Sequence, residues 1–592
     1  MTPQEVLKKY YGYDAFRPLQ EEIVNAVLAG HDTLAILPTG GGKSVCFQVP
    51  TLVMAGQMAE EGRDKGALCL VITPLIALMK DQVANLKRRD IRAAAIYTGM
   101  SREQQQVALD NCQFGPYRFL YVSPERLAGE DFRKRLAKLP VCLIAVDEAH
   151  CISQWGHDFR PSYTRIAEIR TLLPKPVPVL ALTATATPEV AEDITCNLSN
   201  SEAVQQRSGL TSNSAAVSWN VFRQSIHRDN LNYVVRHCED SREKQKQLLH
   251  ILQSVPGTAI LYVRNRKRTE ELAQLLNDNA VSAAAYHAGL DAPERTTRQE
   301  AWQKGGIRVM VCTNAFGMGI DKPDVRLVIH HDLPDSPEAY FQEAGRAGRD
   351  GKTAYCVLLY APEDRVKARK RVSDNFPPEE FVTKVYHNTC DFLQIGEGSG
   401  LGHTFALHMD ELCQVMRLPV LQTYSALHLL SQAGWIDFQD EQETQPRVRI
   451  NTPRETMYDL DLSKPQEQLL QFLMRQYTGI FTDLQYIYGV DDAMHETLVS
   501  LAQRRIVTYL PRTVACAVTM TKERQAEVYL PKRVWTERRQ HYVTRLAAMV
   551  EYAEQQQFCR EQVIAGYFGE TDAPPCNHCD ICRKRMTKYQ ND

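Results

Sequence analysis

The chain has 592 residues, of which 44% are hydrophobic and 24% are charged, and its net charge is −2. At one domain per ~150 residues, this length predicts about four domains. No run approaches the ~18 apolar residues of a membrane span, and the start, MTPQEVLKKYYGYDAF, lacks the pattern of a signal peptide. We therefore expect a cytoplasmic protein without a membrane partner. The charge argues only weakly against nucleic-acid binding, because a large protein can concentrate basic residues in one groove.

Short β-branched runs alternate with amphipathic stretches over the first 360 residues. Such alternation predicts parallel sheets covered by helices on both faces. The first series of predicted strands is TLAILP, LCLVITP, AAAIYT, FLYVSP, CLIAVDE and VLALTAT, and the second is AILYVR, AAAYHA, RVMVCT, LVIHHD and AYCVLLY. A polar, Ser- and Asn-rich piece at 196–220 separates the two series. We therefore predict one α/β lobe at 1–207 and another at 208–364.

The remainder of the chain has a different character. Residues 365–445 contain a helix, a turn, a second helix and a strand, which predicts a helical, winged-helix-like region. An acidic, Pro-containing break follows, and 446–534 repeats the theme as a second winged-helix-like region. Residues 535–592 are strongly helical and lead into a cluster of cysteines. We predict a helical hairpin with a metal site there.

The sequence LPTGGGKS at 37–44 follows the first predicted strand and precedes a helix. Glycines let backbone N–H groups close around phosphate oxygens. Lys43 is expected to reach the β- and γ-phosphates of a nucleotide, and the Ser44 hydroxyl to bind Mg²⁺. Leu37 occupies the position of the first glycine of the general pattern, but the G-K-S core and the strand-to-helix context hold. The alternative is a Gly-rich turn with an unrelated lysine.

A second motif, LIAVDEAH at 143–150, ends an apolar strand in two carboxylates. Asp147 is expected to hold Mg²⁺ through water. Glu148 is expected to accept a proton from the attacking water or to orient it. Two adjacent acids can also be a solvated turn, but the P-loop upstream favours the catalytic interpretation.

The second lobe carries YFQEAGRAGRDG at 340–351. Arg346 and Arg349 are three residues apart, so they are expected to share one helical face or turn. Arginine stabilises charge on a transferring phosphoryl group. An arginine in the other lobe would complete the site only when the lobes close. A solvated basic turn is the plain alternative.

A cysteine cluster lies near the C-terminus, in the stretch PPCNHCDIC. The spacing C-x16-C-x2-C-x2-C supplies the four thiolates that tetrahedral zinc requires. The predicted ligands are Cys559, Cys576, Cys579 and Cys582. A redox pair at Cys576 and Cys579 is disfavoured, because the loop is led by prolines and follows a helix. Inert cysteines are a further alternative, and His578 is a rival ligand.

These motifs, together with TATAT and CTNAFGMGIDKPDVR, resemble in their order the motor motifs of superfamily-two helicases. More narrowly, they resemble the RecQ family of DNA helicases. The most specific signal is DEAHCISQWGHDFRPSY at 147–163, which is similar to that family's aromatic-rich loop. The resemblance covers about 1–365 and resumes at about 535–592. It implies an α/β fold with two tandem RecA-like lobes, followed by the winged-helix-like segments and a small zinc-binding subdomain.

The resemblance also implies roles for individual residues. LKKYYGYDAFRPLQ matches the family's adenine-recognition motif, which sets Tyr11 and Arg17 against the base and Gln20 on its polar edge. His150 completes the catalytic group. The implied phosphate-loop residues are Thr39, Gly40, Gly41, Gly42, Lys43 and Ser44. The implied DNA-sensing and coupling residues are Ser153, Gln154, Trp155, His157, Phe159 and Arg160. ITPLIALMKDQ and VSPERL match motifs that contact the DNA backbone.

The implied activity is an ATP-driven 3′-to-5′ helicase that moves on single-stranded DNA, unwinds duplexes and acts in recombination and repair. Its implied cofactors are Mg²⁺ and Zn²⁺. Its implied partners are single-stranded and forked duplex DNA, with single-strand-binding and recombination proteins, in a bacterial cytoplasm at the nucleoid. The chain departs from the family's usual order, because 365–535 lies between the second lobe and the zinc subdomain. The winged-helix-like segments there either bind duplex DNA or carry ordinary surface charge.

Two other function classes compete with this interpretation. A nucleic-acid annealing protein would use ATP only as a conformational switch, which the intact Glu148 and Arg349 argue against. An RNA helicase would share the motor motifs, but the aromatic-rich loop and the cysteine cluster favour DNA.

Overall fold

The computed structural model divides the chain into two compact units, Met1–Arg369 with Gln540–Asp592, and Lys370–Arg539. The residues that it describes are 1–62, 67–97, 100–153, 160–199, 219–317, 322–443, 446–453, 456, 460–477, 479–481, 485–487, 490–510 and 514–591.

The first lobe is built on a parallel sheet with strand order β3-β4-β2-β5-β6-β1-β7. Its strands are β1 (Thr33–Ile36), β2 (Leu68–Ile72), β3 (Ala93–Ile96), β4 (Phe119–Val122), β5 (Val141–Val146), β6 (Val179–Thr183) and β7 (Asn220–Arg223). Its helices are α1 (Pro3–Tyr11), α2 (Gln20–Leu28), α3 (Lys43–Glu60), α4 (Ile76–Arg88), α5 (Arg102–Phe114), α6 (Glu130–Leu136), α7 (Ile166–Leu172) and α8 (Pro188–Ser199). The predicted parallel sheet with two covered faces is confirmed.

The two faces of this sheet form separate hydrophobic cores. Successive strand residues point to opposite faces, so Leu68 and Leu70 lie in one core, whereas Cys69 and Val71 lie in the other. Both faces are buried, which explains why the strands are continuous apolar runs without alternation.

The edge strand β7 was not predicted, and it changes the lobe boundary. It pairs in parallel with β1, with Thr33 opposite Asn220. The first sheet therefore includes residues that the predicted boundary at 207/208 assigns to the second lobe. That boundary itself lies outside the described residues.

The second lobe contains a parallel sheet in the order β10-β11-β9-β12-β13-β8. Its strands are β8 (Leu231–His237), β9 (Thr258–Tyr262), β10 (Ala283–Tyr286), β11 (Val309–Cys312), β12 (Val325–His330) and β13 (Ala354–Tyr360). Its helices are α9 (Ser241–Ser254), α10 (Arg266–Asp278), α11 (Ala292–Gln303), α12 (Pro337–Ala344) and α13 (Pro362–Asn375). All five predicted strands are present, and β8 is an addition at the edge.

The C-terminal module returns to the second lobe. It consists of the helix Arg538–Glu554, most of which belongs to the first unit, and the helices Arg560–Tyr567 and Asp580–Asn591. The Tyr552 ring centroid lies 5.3 Å from that of Tyr340, and the backbone N–H of Val235 donates to Asp580 at 3.4 Å. The cysteine module therefore lies against the second lobe.

The second unit differs from the two successive winged-helix-like regions that the sequence predicts. Its helices are α14 (Glu379–Phe392), α15 (Met409–Val415), α16 (Val420–Gln432), α17 (Lys464–Gln476) and α18 (Asp492–Gln503). The helices of the C-terminal module are α19 (Arg538–Glu554), α20 (Arg560–Tyr567) and α21 (Asp580–Asn591). Its strands are β14 (Thr404–Leu407), β15 (Ile436–Glu443), β16 (Arg447–Ile450), β17 (Gln485–Tyr486), β18 (Val507–Leu510) and β19 (Val514–Met520). Strand β19 lies between β14 and β15 in an antiparallel sheet. The described residues of 446–510 thus form an insertion with its own sheet and core, and β19 pairs with β15 across the predicted boundary at 445/446.

Among the helices that the structure describes, none is long and apolar enough to cross a membrane.

Candidate functional site

The phosphate loop lies between the end of β1 and the start of α3. Gly40 and Gly42 have positive φ angles of 83° and 78°, a region that glycine adopts without strain. Gly42 caps α3 without a side-chain hydrogen bond, so the first N–H groups of this helix are not satisfied by a cap. Together with the helix dipole, these N–H groups form a site for phosphate.

Gln20 and Arg17 are hydrogen-bonded to the backbone of the phosphate loop. The Gln20 amide donates to the carbonyls of Gly41 at 3.0 Å and Gly42 at 3.2 Å, and its oxygen accepts from the Arg17 N–H at 3.0 Å. The Arg17 guanidinium donates to the Gly40 carbonyl. A Cβ at Gly42 would collide with the Gln20 amide. The structure therefore brings the predicted adenine-recognition residues Arg17 and Gln20 to the phosphate loop.

Tyr11 and Tyr13 have different environments. The Tyr11 hydroxyl donates to Gln48 at 2.7 Å, and the Arg89 guanidinium lies 5.2 Å from the Tyr11 ring centroid. Burial raises the pKa of the Tyr11 hydroxyl well above its usual value. Tyr13 is 54% exposed and lies four residues before Arg17. The sequence singled out Tyr11, whereas exposure favours Tyr13 as the ring that is free to stack on a base.

A chain of side-chain amides reaches the predicted magnesium ligand Ser44. Gln82 donates to the Ser44 hydroxyl at 3.3 Å, and Gln48 donates to Gln82 at 3.2 Å and to Tyr121 at 3.4 Å. Gln82 ends the ITPLIALMKDQ motif, which was predicted to contact DNA. Sequence reasoning missed this role, because nothing in the spacing shows that α4 turns Gln82 toward α3.

Asp147 follows strand β5 directly. One carboxylate oxygen accepts from the Thr73 hydroxyl at 3.4 Å and the other from the Glu148 N–H at 3.0 Å. Burial, and next the charge of Glu148, raise the pKa of Asp147 to about 6, and Lys43 opposes this shift. Such a buried carboxylate gains strongly from a divalent cation.

Glu148 and His150 form the second part of this motif. Glu148 is 8% exposed and has a φ of 49°, which is uncommon for a residue with a side chain and typical of functional sites. Its Oε2 lies 3.4 Å from His150 Nδ1. His150 Nδ1 also lies 3.0 Å from the hydroxyl of Thr183, the first residue of TATAT. The structure thus connects the DEAH motif directly to TATAT.

The two predicted arginines separate. Both follow α12, in the turn that begins at Gly345. Arg346 is buried and donates to the Gly317 carbonyl at 2.5 Å within the second lobe. The side chain of Arg349 instead lies against Gly40, where an added Cβ would be 3.7 Å from Arg349 Cγ. Of the pair, only Arg349 lies beside the phosphate loop.

A second contact joins the lobes at the same place. The Thr39 hydroxyl of the phosphate loop donates to the Gly345 carbonyl at 3.2 Å. Thr39 was predicted to bind the nucleotide, and the structure adds this contact with the second lobe.

The predicted DNA-sensing loop is described only at its ends. Gln154, Trp155, His157 and Phe159 lie outside the described residues, and their roles stay predictions. Ser153 is buried, and its N–H donates to the His150 carbonyl at 3.2 Å. The Arg160 N–H donates to the Cys151 carbonyl at 2.9 Å, which closes the base of the loop beside the DEAH motif.

The four predicted zinc ligands converge. The sulfurs of Cys559, Cys576, Cys579 and Cys582 all lie within 4.8 Å of one another, and all four side chains are buried. The Sγ atoms of Cys559 and Cys576 are 3.4 Å apart, and those of Cys559 and Cys579 are 3.9 Å apart. A tetrahedral site with Zn–S bonds of ~2.3 Å has sulfurs ~3.8 Å apart. The sulfur geometry therefore fits zinc.

Comparison with known families agrees with this geometry. Residues 17–194 match the DEAD/DEAH box helicase family, 243–351 match the helicase conserved C-terminal domain, and 520–583 match the RecQ zinc-binding family. The three matches follow the order of the two lobes and the cysteine module.

Individual relatives cover the same motor region. The probable ATP-dependent DNA helicase RecS of Bacillus subtilis is 40% identical over 61% of this chain and 67% of its own length. The ATP-dependent DNA helicases RecQ of Haemophilus influenzae and of Bacillus subtilis are each 41% identical over 61% of this chain. The matched part spans 54% and 56% of these two RecQ proteins. On these matches, the chain belongs to the RecQ family of ATP-dependent DNA helicases.

Proposed function

We propose that this chain is an ATP-dependent DNA helicase that moves 3′-to-5′ on single-stranded DNA and unwinds duplexes. One observation carries the proposal. The N-terminus of α3 carries Lys43 and Ser44, the positive charge of Lys43 opposes the rise in the pKa of Asp147 beside the buried Glu148, and Arg349 of the second lobe lies beside the phosphate loop. This is the arrangement that hydrolysis of a nucleoside triphosphate between two lobes requires.

Each residue has a distinct part in the proposed reaction. The α3 N–H groups and Lys43 bind the phosphates, while Ser44 and Asp147 would hold Mg²⁺, which neutralises charge on the phosphate oxygens when bound. Glu148 accepts the proton of the attacking water and is held near His150 at 3.4 Å. Arg349 stabilises negative charge that develops on the transferred group.

The lobe contacts suggest how hydrolysis becomes movement. Thr39 and Gly40 of the phosphate loop contact Gly345 and Arg349 of the second lobe. A nucleotide in the loop would strengthen this contact, and its hydrolysis would release it. Repeated closing and opening moves a strand held across both lobes. The single-stranded bases would stack on Trp155 and Phe159, and each stacked base contributes ~1–3 kcal/mol.

The proposal is tested by unwinding assays on matched 3′-tailed, 5′-tailed and forked duplexes of DNA, with RNA versions as controls. We expect ATP-dependent unwinding of the 3′-tailed and forked DNA, and none with a non-hydrolysable ATP analogue. Equal unwinding of RNA would indicate an RNA helicase. Strand separation that proceeds equally well with the analogue would replace the helicase by an ATP-switched binding protein.

Tyr13 provides a second test, on nucleotide recognition. We expect Tyr13→Leu to raise the KM for ATP by about two- to thirteenfold, because an aromatic stack contributes ~0.5–1.5 kcal/mol. Tyr11→Leu should leave this KM within about twofold, since the Tyr11 hydroxyl is bonded to Gln48. Steady-state ATPase kinetics with saturating single-stranded DNA measure both. The opposite ranking would return the stacking role to Tyr11.

The wider role is also proposed by resemblance. We place the chain in DNA recombination and repair, in the cytoplasm at the nucleoid, with single-strand-binding and recombination proteins as partners. Support comes from the family alone, and the matched RecQ relatives extend well beyond the region that they share with this chain.

A further inference from the structure

One short segment of the cysteine module, Tyr567–Glu570, reaches both lobes of the motor. We call it the bridging segment. It begins at the last residue of α20 and continues into the turn that leads toward the cysteines. Its contacts fall on elements that carry motor motifs.

On the first-lobe side, the contact runs through Arg223. This residue ends β7, the edge strand of the first sheet. Its Nη1 donates both to the carbonyl of Ala186 at 2.8 Å and to the carbonyl of Phe568 at 3.0 Å. One guanidinium nitrogen therefore joins the TATAT motif to the bridging segment, with charge-assisted hydrogen bonds on both sides.

The TATAT motif connects this bridge to the catalytic residues. The Thr183 hydroxyl is bonded to the carbonyl and the N–H of Thr185, and it lies 3.0 Å from His150 Nδ1. His150 lies 3.4 Å from Glu148. A continuous set of contacts thus extends from the general base, through the turn at 183–186, to Arg223.

On the second-lobe side, the bridging segment packs on α12. The Tyr567 hydroxyl donates to Glu338 at 2.9 Å, and the ring centroids of Phe568 and Phe341 are 5.3 Å apart. Helix α12 leads directly into Gly345 and Arg349, which contact the phosphate loop. The bridging segment therefore contacts Arg223, which is bonded to the TATAT turn, on one side, and helix α12, which precedes Arg349, on the other.

We propose that Arg223 is a positioning residue that couples the cysteine module to ATP hydrolysis by holding the TATAT turn against the bridging segment. The inference rests on the proposed helicase function. It assigns the module a part in coupling in addition to stability. When the lobes move, α12 moves the bridging segment, and Arg223 transmits that shift to the turn that contacts His150.

The competing explanation is that these contacts only attach the cysteine module to the motor. Different residues make the attaching contacts and the contact with TATAT, so the two roles can be tested separately. Glu570 accepts from the Ser225 hydroxyl at 2.8 Å and from the Ile226 N–H at 2.9 Å. These bonds attach the bridging segment to the connection between the lobes without touching TATAT. Ser225→Ala is therefore a matched control that weakens docking at the same joint but leaves the Arg223 bridge in place.

The test measures DNA-stimulated ATPase activity in the full chain with Arg223→Met, Arg223→Lys and Ser225→Ala. We expect Arg223→Met to lower the DNA-stimulated kcat about tenfold, with the KM for ATP within about twofold, because the lost contact acts on positioning rather than on ATP binding. Arg223→Lys should recover most of the rate, since an ammonium can donate to two carbonyls. Ser225→Ala should behave like the unmodified chain.

Zinc content and the melting temperature are measured in parallel to identify a folding defect. A tenfold loss in Arg223→Met with unchanged zinc content, and rescue by Arg223→Lys, supports the inference. Full DNA stimulation in Arg223→Met overturns it, as does an equal loss in Ser225→Ala. If the unmodified chain shows no DNA-stimulated hydrolysis, the proposed helicase function fails instead, so the two failures are distinguishable.

Discussion

Replacing Glu148 by Gln should lower the rate of DNA-stimulated ATP hydrolysis by about 10²- to 10⁴-fold, the usual contribution of a positioned general base. Glutamine keeps the shape of the side chain and fits the φ of 49° no worse than glutamate. It cannot accept a proton from water. Lys43, Ser44 and the α3 N–H groups are unchanged, so the affinity for ATP should stay within about twofold.

Glu192→Gln is the matched control for this substitution. Glu192 lies exposed on α8 of the same lobe, so the loss of its charge should leave the ATPase rate unchanged. Rates are measured with saturating single-stranded DNA, and ATP affinity is measured with a fluorescent analogue. Retention of more than about a tenth of the rate in Glu148→Gln would assign the proton transfer to another group.

Apolar runs in the sequence predict most of the motor fold, because the central strands of both sheets are buried on both faces. Strand β7 was missed because its four residues, NVFR, are at most half-buried at the sheet edge and form no apolar run. Strand β8, at the edge of the second sheet, follows closely after it and was missed with it. Strand β7 buries little of its surface, so its sequence is less restricted.

The sequence does not predict which strands pair when they lie far apart in the chain. Strand β19 closes a sheet with β14 and β15 although residues 446–510 come before it in the chain. Its apolar residues predict a strand equally well in either region. The packing of Val518 and Met520 into the same core as Phe438 and Leu407 assigns β19 to the first of the two predicted winged-helix-like regions.

The functional site, like the fold, is predicted only in part by the sequence. Motif spacing predicts Lys43, Asp147 and the four cysteines, because phosphate and metal chemistry restricts the residue types there. It treated Arg346 and Arg349 as a pair, although the turn after α12 directs one into the second lobe and the other to the phosphate loop. Residues whose side chains donate to backbone carbonyls, such as Arg223, are not marked by a sequence motif, because every residue has a backbone carbonyl.

Replacing Cys579 by Ser should remove zinc from the chain and detach the C-terminal module. Cys579 is fully buried among the other three sulfurs. A serine hydroxyl is a poor zinc ligand, and loss of even an outer partner weakens metal affinity 10–100-fold, so we expect a loss of at least about 100-fold. A 100-fold loss of affinity corresponds to ~2.7 kcal/mol, which is a large part of the ~3–5 kcal/mol that the core of a small module supplies.

The consequences should extend to the motor, because the module contributes Tyr552, Phe568 and Asp580 to the surface of the second lobe. We expect Cys579→Ser to expose the chain after about 555 to limited proteolysis and to reduce DNA-stimulated hydrolysis. Cys196→Ser, at an exposed cysteine of the first lobe, is the matched control and should change neither zinc content nor proteolysis.

His578→Gln decides between the ligand sets. Glu561, Cys576 and His578 form a second group whose ligand atoms lie within 4.8 Å of one another. If the four cysteines hold the zinc, His578→Gln retains the metal and Cys579→Ser loses it, as measured by zinc release to a chromogenic chelator. If His578 holds the zinc in place of Cys579, His578→Gln loses the metal and Cys579→Ser retains it. The four-cysteine site is expected, because its sulfur separations of 3.4 and 3.9 Å already approach those of a closed zinc tetrahedron, ~3.8 Å.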